Sequence, residues 1–249
     1  MAHYQQLEFV RIVTQGFPEF SRQATVLEVG SWDINGSIRG LFAQCDYVGA
    51  DIAPGNGVDL VCGGQDIGFP SGHFDTVISC ECFEHNPYWL ETTANMIRML
   101  RAGGCFILSC AATGRREHGT PRMSPGASLT SLKEQATYYR NLSPRDFCDR
   151  IDLRRHFSQF FFSRNLYSKD LYFFGIKASP ALDPAIQARL NDLKSKVDAI
   201  TVKGRLGLLK RYEAHVSWWA KQAVVGVLGE QGSHDVKYWL RSVFPRRRP

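Results

Sequence analysis

The sequence predicts an α/β protein: a mostly parallel sheet with helices on both faces, followed by a helical C-terminal extension. Three observations carry that prediction. Residues 26–37 (VLEVGSWDINGS) read as a buried strand, a glycine turn at Gly30 and the approach to a helix. Apolar strand-like runs then alternate with helical periodicity, the pattern of a parallel sheet covered on both sides. Finally Asp51 closes the second strand, 21 residues after Gly30. A carboxylate at that sheet edge can accept from both hydroxyls of a ribose diol.

Each element has its own reason. Leu7, Val10 and Val13 recur at helical spacing, so a short helix over 4–14 precedes the first strand. Asn35 is the expected N-cap of a short helix running to Phe42. Residues 47–52, 58–62 and 74–80 read as strands two to four. Asn86-Pro87 opens a helix with Trp89, Met96, Ile97 and Leu100 on its apolar face, and Gly103-Gly104 is expected to end it. Residues 105–110 are the fifth strand. Ser143-Pro144 starts a further helix, and the aromatic-rich residues 157–162 and 170–177 are two final strands forming an antiparallel edge, seven in all.

Composition sets bounds. Hydrophobic residues make up 44% of the 249, enough for a sizeable core. No run of about 18 apolar residues suggests a membrane span, and the N-terminus lacks a signal pattern. Seven cysteines scattered mostly through apolar strand-like runs fit free buried thiols, hence a cytoplasmic protein. Charge divides the chain. Residues 1–179 hold 17 Lys+Arg and 18 Asp+Glu, net −1, whereas residues 180–249 hold 13 and 6, net +7. The expected organisation is a domain over 1–179 and a basic helical extension over 180–249.

Several motifs occur in a fixed order: Glu28-Val29-Gly30, Asp51, Gln65-Asp66-Ile67, Phe74-Asp75-Thr76-Val77-Ile78-Ser79, Glu84-His85, and Arg98-Met99-Leu100-Arg101-Ala102-Gly103-Gly104. Together they resemble the class I S-adenosylmethionine-dependent methyltransferases, especially the small-molecule branch. The match covers about residues 20–112 and more loosely extends to about 178. The resemblance implies a Rossmann-like, mostly parallel seven-stranded sheet and S-adenosyl-L-methionine as cofactor. It places Glu28, Gly30 and Ser31 along the methionine part of the cofactor, Asp51 on the ribose and Ile52 on the adenine. It has Asp66 accept from the adenine amino group, Ile67 offer its backbone, and Cys80 sit near the sulfonium. Two positions depart from the pattern. Trp32 stands where the family has a glycine, so the turn need not follow the usual path, and Ala102 replaces a proline.

An oxygen acceptor must lose a proton, and His85 and His118 are the candidate bases. His118 lies in residues 111–130, a long aperiodic segment expected to stand over the crevice as a lid or acceptor wall. Arg115, Arg116 and Arg122 in that segment are candidates for holding an anionic acceptor. No metal is expected, because Cys80-Glu81-Cys82 lacks a zinc spacing and no CxxC or paired-His motif accompanies it. Asn86-Pro87-Tyr88-Trp89 resembles the signature of amino-methylating nucleic-acid enzymes, but it starts six residues after Cys80 and is already explained as a helix start.

Methyl transfer to oxygen of a small molecule or saccharide is therefore the expected function. The rivals are a nucleic-acid methyltransferase using the basic extension and a non-catalytic binding protein on the same fold. In the extension, Ile186, Leu190, Leu193, Val197 and Ile200 form a seam expected to pack on the domain or on a second subunit. Further helices are expected over 204–228 and around residues 236–243, where aromatic and basic side chains make peripheral membrane contact conceivable.

Overall fold

A computed structural model describes residues 4–34, 36–128, 137–180, 185–202 and 227. The strands are β1 (Arg22–Val29), β2 (Gln44–Asp51), β3 (Leu60–Val61), β4 (Phe74–Cys80), β5 (Leu100–Ala111), β6 (Phe157–Asn165) and β7 (Asp170–Lys177). They form one sheet in the order β3-β2-β1-β4-β5-β7-β6. The first five strands run parallel, while β7 is antiparallel to both β5 and β6. From β1 the chain builds outward through β2 and β3, then returns to β4 on the other side. That reversal leaves a crevice beyond the carboxyl ends of β1 and β4.

The helices are α1 (Tyr4–Gly16), α2 (Trp89–Met99), α3 (Pro144–Cys148), α4 (Leu153–His156) and α5 (Ala185–Val202). Side chains alternate along the strands and so feed two cores. On one face Leu27, Val29, Val77, Phe106 and Leu108 meet Trp89, Met96 and Ile97 of α2. On the other, Val26, Ile78, Ile107 and Phe174 meet Phe9, Val10 and Val13 of α1 together with Leu190, Leu193 and Val197 of α5. Phe9 stacks nearly flat on Tyr172, with ring centroids 4.4 Å apart. Each such buried side chain contributes about 1.5–3 kcal/mol.

The seam of α5 thus packs on the domain. Arg189 secures it by donating to the carbonyl of Gly16 at 2.9 Å and lying over the Phe17 ring. Apart from residue 227, the helices expected at 204–228 and 236–243 lie outside the described residues, as does Asn35.

Local expectations needed three corrections. Gly103-Gly104 does not end a helix. The chain turns into β5 at Leu100, and both glycines lie where the β4–β5 register jumps from Phe74↔Leu100 to Thr76↔Cys105. A Cβ on Gly104 would stand 2.8 Å from the Asp75 carbonyl, so the bulge needs glycine there. The short helix before β2 is a single 3-10 turn, Arg39–Phe42. The third strand has only two paired residues; just before it, Asp59 donates its N–H to the Gly49 carbonyl and accepts from the Gly49 amide on its carboxylate, each at 2.8 Å. At α3 the Ser143 cap forms, with Asp146 closing a reciprocal capping box.

Candidate functional site

The crevice is lined from the ends of β1, β2 and β4 and from the loops that follow them: Gly30 and Trp32, Asp51 and Ile52, Cys80 to Cys82, then His85 to Tyr88. Its open space measures about 850 Å³ out to the mouth. Ala127 and Ser128 also line it, so the long segment after β5 does reach over the crevice.

Gly30 makes the turn possible. Its φ is +85°, and a Cβ would fall 2.4 Å from the Cβ of Cys82. Its N–H donates to the Ala50 carbonyl at 2.8 Å, locking β1 to the end of β2. Trp32 does not plug the turn. Its indole lies against Gly55, where a Cβ would come within 2.4 Å of the ring. Its backbone N–H donates to Asp51 Oδ2 at 3.1 Å, and Ile52 N–H donates to Asp51 Oδ1 at 2.8 Å. The carboxylate is held in place with lone pairs to spare. Burial raises its pKa above the usual carboxylate range, while the two N–H donors act in the opposite sense.

The other residues assigned by resemblance divide. Cys80 lines the crevice, with burial pushing its thiol up to about 12, so it stays a neutral wall. Glu28 and Ser31 are buried and do not line the crevice. Glu28 Oε2 accepts from the Tyr47 hydroxyl at 2.6 Å, and burial pushes its carboxyl up to about 7. Ile67 is a core residue and Asp66 is exposed, its carboxylate accepting from the Gln65 amide at 2.8 Å. Cys62, Gly64 and Gln65 line the crevice in their stead. The reason is the 3-10 turn Gly64–Asp66, which rotates successive side chains to different sides.

His85 lines the crevice, and burial holds its pKa well below the usual imidazole value, so it is neutral. His118 lies behind it, ring centroids 5.0 Å apart and nearly perpendicular, and does not line the crevice. Tyr139 packs edge-on against both. Nδ1 of His118 stands 3.0 Å from the Arg116 carbonyl. A carbonyl only accepts, so that nitrogen carries the proton and Nε2 keeps its lone pair. Nε2 faces Glu84 Oε1 at 3.9 Å.

The arginines expected to grip an anion have other work. Arg115 pairs with Asp170 at 2.7 Å and approaches Glu81 at 3.7 Å. Arg122 reaches both oxygens of Glu117 at 2.9 Å. Arg116 is exposed.

Sequence reasoning passed over Glu81 and Glu84. Glu81 lines the crevice in the left-handed backbone region, φ +53°, with Ser109 donating to its Oε1 at 3.1 Å. Glu84 is fully buried. The absence of a metal-ligand spacing also missed that Glu84, His85 and His118 bring one ligand atom each to within 4.8 Å of one another. His118 is 33 residues from His85, and only the fold of the segment after β5 returns it there.

Residues 37–108 match the model of a family described as the methyltransferase domain. That stretch is less than a third of the chain. The family's description agrees with the resemblance carried by the motif order. Among solved structures, this chain is similar to the CurJ carbon methyltransferase (16% identity, covering 64% of this chain and 50% of that one, TM-score 0.44). It is also similar to 1,6-didemethyltoxoflavin-N1-methyltransferase from Burkholderia thailandensis, solved with 1,6-didemethyltoxoflavin and S-adenosylhomocysteine (13%, 70% and 80%, 0.49). A third is CrArsM, an arsenic(III) S-adenosylmethionine methyltransferase from Chlamydomonas reinhardtii (15%, 66% and 67%, 0.42). The chain spans half the length of the CurJ chain it matches. No curated protein matches it. Among the described residues no helix is long and apolar enough to cross a membrane.

Proposed function

We propose that the protein transfers the methyl group of S-adenosylmethionine to an oxygen atom of a small-molecule or saccharide acceptor. The observation that carries this reading is one crevice holding both a positioned carboxylate, Asp51, and a buried neutral imidazole, His85.

Bound S-adenosylmethionine supplies a methyl group already activated on a sulfonium. What remains for the chain is to orient, to exclude water and to receive a proton. Asp51 would accept from the ribose hydroxyls, with Ile52 and Trp32 as apolar walls. Cys80, held as a neutral thiol, would face the methyl donor without competing for it. Glu81, His85 and Asn86 would border the acceptor, and a neutral His85 has a lone pair for the departing proton. Ala127 and Ser128 would shield the reacting atoms.

Charge supports an uncharged hydroxyl, because Arg115 and Arg122 are paired within the protein. The test is calorimetric titration of S-adenosylmethionine into wild type and Asp51→Ala, followed by transfer of isotopically labelled methyl to a panel of hydroxylated small molecules, sugars and RNA. Binding that weakens in the variant, with label in a hydroxylated small molecule or sugar, is expected. Label entering RNA alone would replace this reading with the nucleic-acid one.

A further inference from the structure

We propose that Glu84, His85 and His118 form a binding site for a divalent first-row transition-metal ion at the edge of the crevice. Geometry comes first. The three side chains bring one ligand atom each within 4.8 Å, and Glu84 Oε1 to His118 Nε2 is 3.9 Å. Two bonds of about 2.0–2.1 Å to one tetrahedral ion place their ligand atoms roughly 3.3 Å apart, so modest side-chain rotation closes the set.

The hydrogen bonding points the same way. Glu84 is fully buried, and neither carboxylate oxygen has a hydrogen-bond partner among the described residues. Nδ1 of His85 is likewise buried and unpartnered. Buried polar atoms are nearly always satisfied, and three such atoms in adjacent residues ask for a common partner. His118 is already arranged as a ligand, because its Nδ1–H donates to the Arg116 carbonyl and so leaves the Nε2 lone pair toward Glu84. A backbone carbonyl on the far nitrogen is a usual outer partner of metal-bound histidine. Tyr139 fixes both rings from the side.

The donor set selects the ion. Two imidazoles and one carboxylate suit zinc, iron(II), cobalt or manganese rather than calcium or magnesium, and three protein ligands leave positions open. Glu81 adds negative charge nearby, while the adverse charge of Arg115 is paired with Asp170. His85 lines the crevice, so an open position on the ion is reachable from it.

The ion's use rests on the reading above; its binding does not. A coordinated acceptor hydroxyl gives up its proton more readily. With a His85 nitrogen on the ion, that imidazole no longer takes the proton as it does in the metal-free reading above, and the proton passes to water. The methyl carbon–oxygen bond forms as the methyl carbon–sulfur bond breaks, and the sulfonium leaves as a thioether.

The experiment titrates Co²⁺ into full-length protein stripped with a chelator, following heat and visible absorption, with S-adenosylmethionine titrated separately into the same preparation. One ion per chain is expected, with d–d bands and no near-ultraviolet thiolate-to-cobalt band. His118→Ala and Glu84→Gln should each weaken cobalt binding at least about tenfold. If Glu84→Gln fails to fold, His118→Ala, whose side chain reaches the surface, still decides. No stoichiometric binding, a thiolate band, or an affinity unmoved in His118→Ala overturns the site. Cobalt binding without S-adenosylmethionine binding overturns the methyl-transfer reading and leaves the metal site standing; the reverse overturns the metal site alone.

Discussion

The carboxylate of Asp51 is tied to the backbone of Trp32 across the base of the crevice: Trp32 N–H donates to Asp51 Oδ2 at 3.1 Å. The bond joins the turn after β1 to the end of β2. It explains how a tryptophan can occupy a position where the resemblance implies glycine. The backbone N–H does the local work while the indole leans onto Gly55.

Asp51→Ala should therefore lose two things, the acceptor for ribose hydroxyls and the brace on Trp32. Hydrogen bonds to charged groups are worth about 1.5–3 kcal/mol, so S-adenosylmethionine affinity should fall roughly 10- to 100-fold. Asp51→Asn keeps one acceptor oxygen and should fall between. Calorimetry on both variants checks the order.

Gly30→Ala meets both a left-handed backbone, φ +85°, and the Cβ of Cys82 at 2.4 Å. Backbone strain of this kind costs about 1–3 kcal/mol, and the contact adds to it. The expected outcome is a lower denaturation midpoint together with loss of cofactor binding. Chemical denaturation with and without S-adenosylmethionine measures both.

Glu28 sets a pH dependence. Its folded pKa is raised from 4.5 to about 7, chiefly by burial. The folded state holds the proton more tightly than the unfolded one. The associated stability is therefore complete below about pH 4.5 and is lost as the pH rises through 7. Glu28→Gln keeps an acceptor for Tyr47 and removes the titration. Wild type should lose up to about 3 kcal/mol relative to this variant between pH 4 and pH 8. Urea midpoints at the two values test it, and parallel profiles would refute it.

The pair Arg122–Glu117 clamps the segment over the crevice. Thr120 donates to the same carboxylate at 2.7 Å. Arg122→Ala leaves a buried Glu117 with one fewer cation, and on the order of 1–3 kcal/mol of local stability should go, since the arginine is partly exposed. Faster proteolytic nicking within residues 111–128 is the expected signature, with little change in the global midpoint.

The sequence by itself determined the sheet. Strand periodicity, the glycine turn at Gly30 and Asp51 at the end of β2 are local patterns, and local patterns survive being read one residue at a time. The antiparallel end was legible too, in two aromatic strands joined by a short connection. Tertiary structure decided what no spacing encodes. The 3-10 turn at Gly64–Asp66 sends Asp66 to solvent and Gln65 to the crevice. Glu28 faces Tyr47 because a strand reverses its side chains every residue. His118 meets Glu84 and His85 only because the segment after β5 folds back, held by Arg115 on Asp170 and by Tyr139 and Asn141 on the carbonyls of Arg116 and Arg115. Contacts between residues distant in the chain depend on the path between them, and that path is set by packing and hydrogen bonding of the whole sheet.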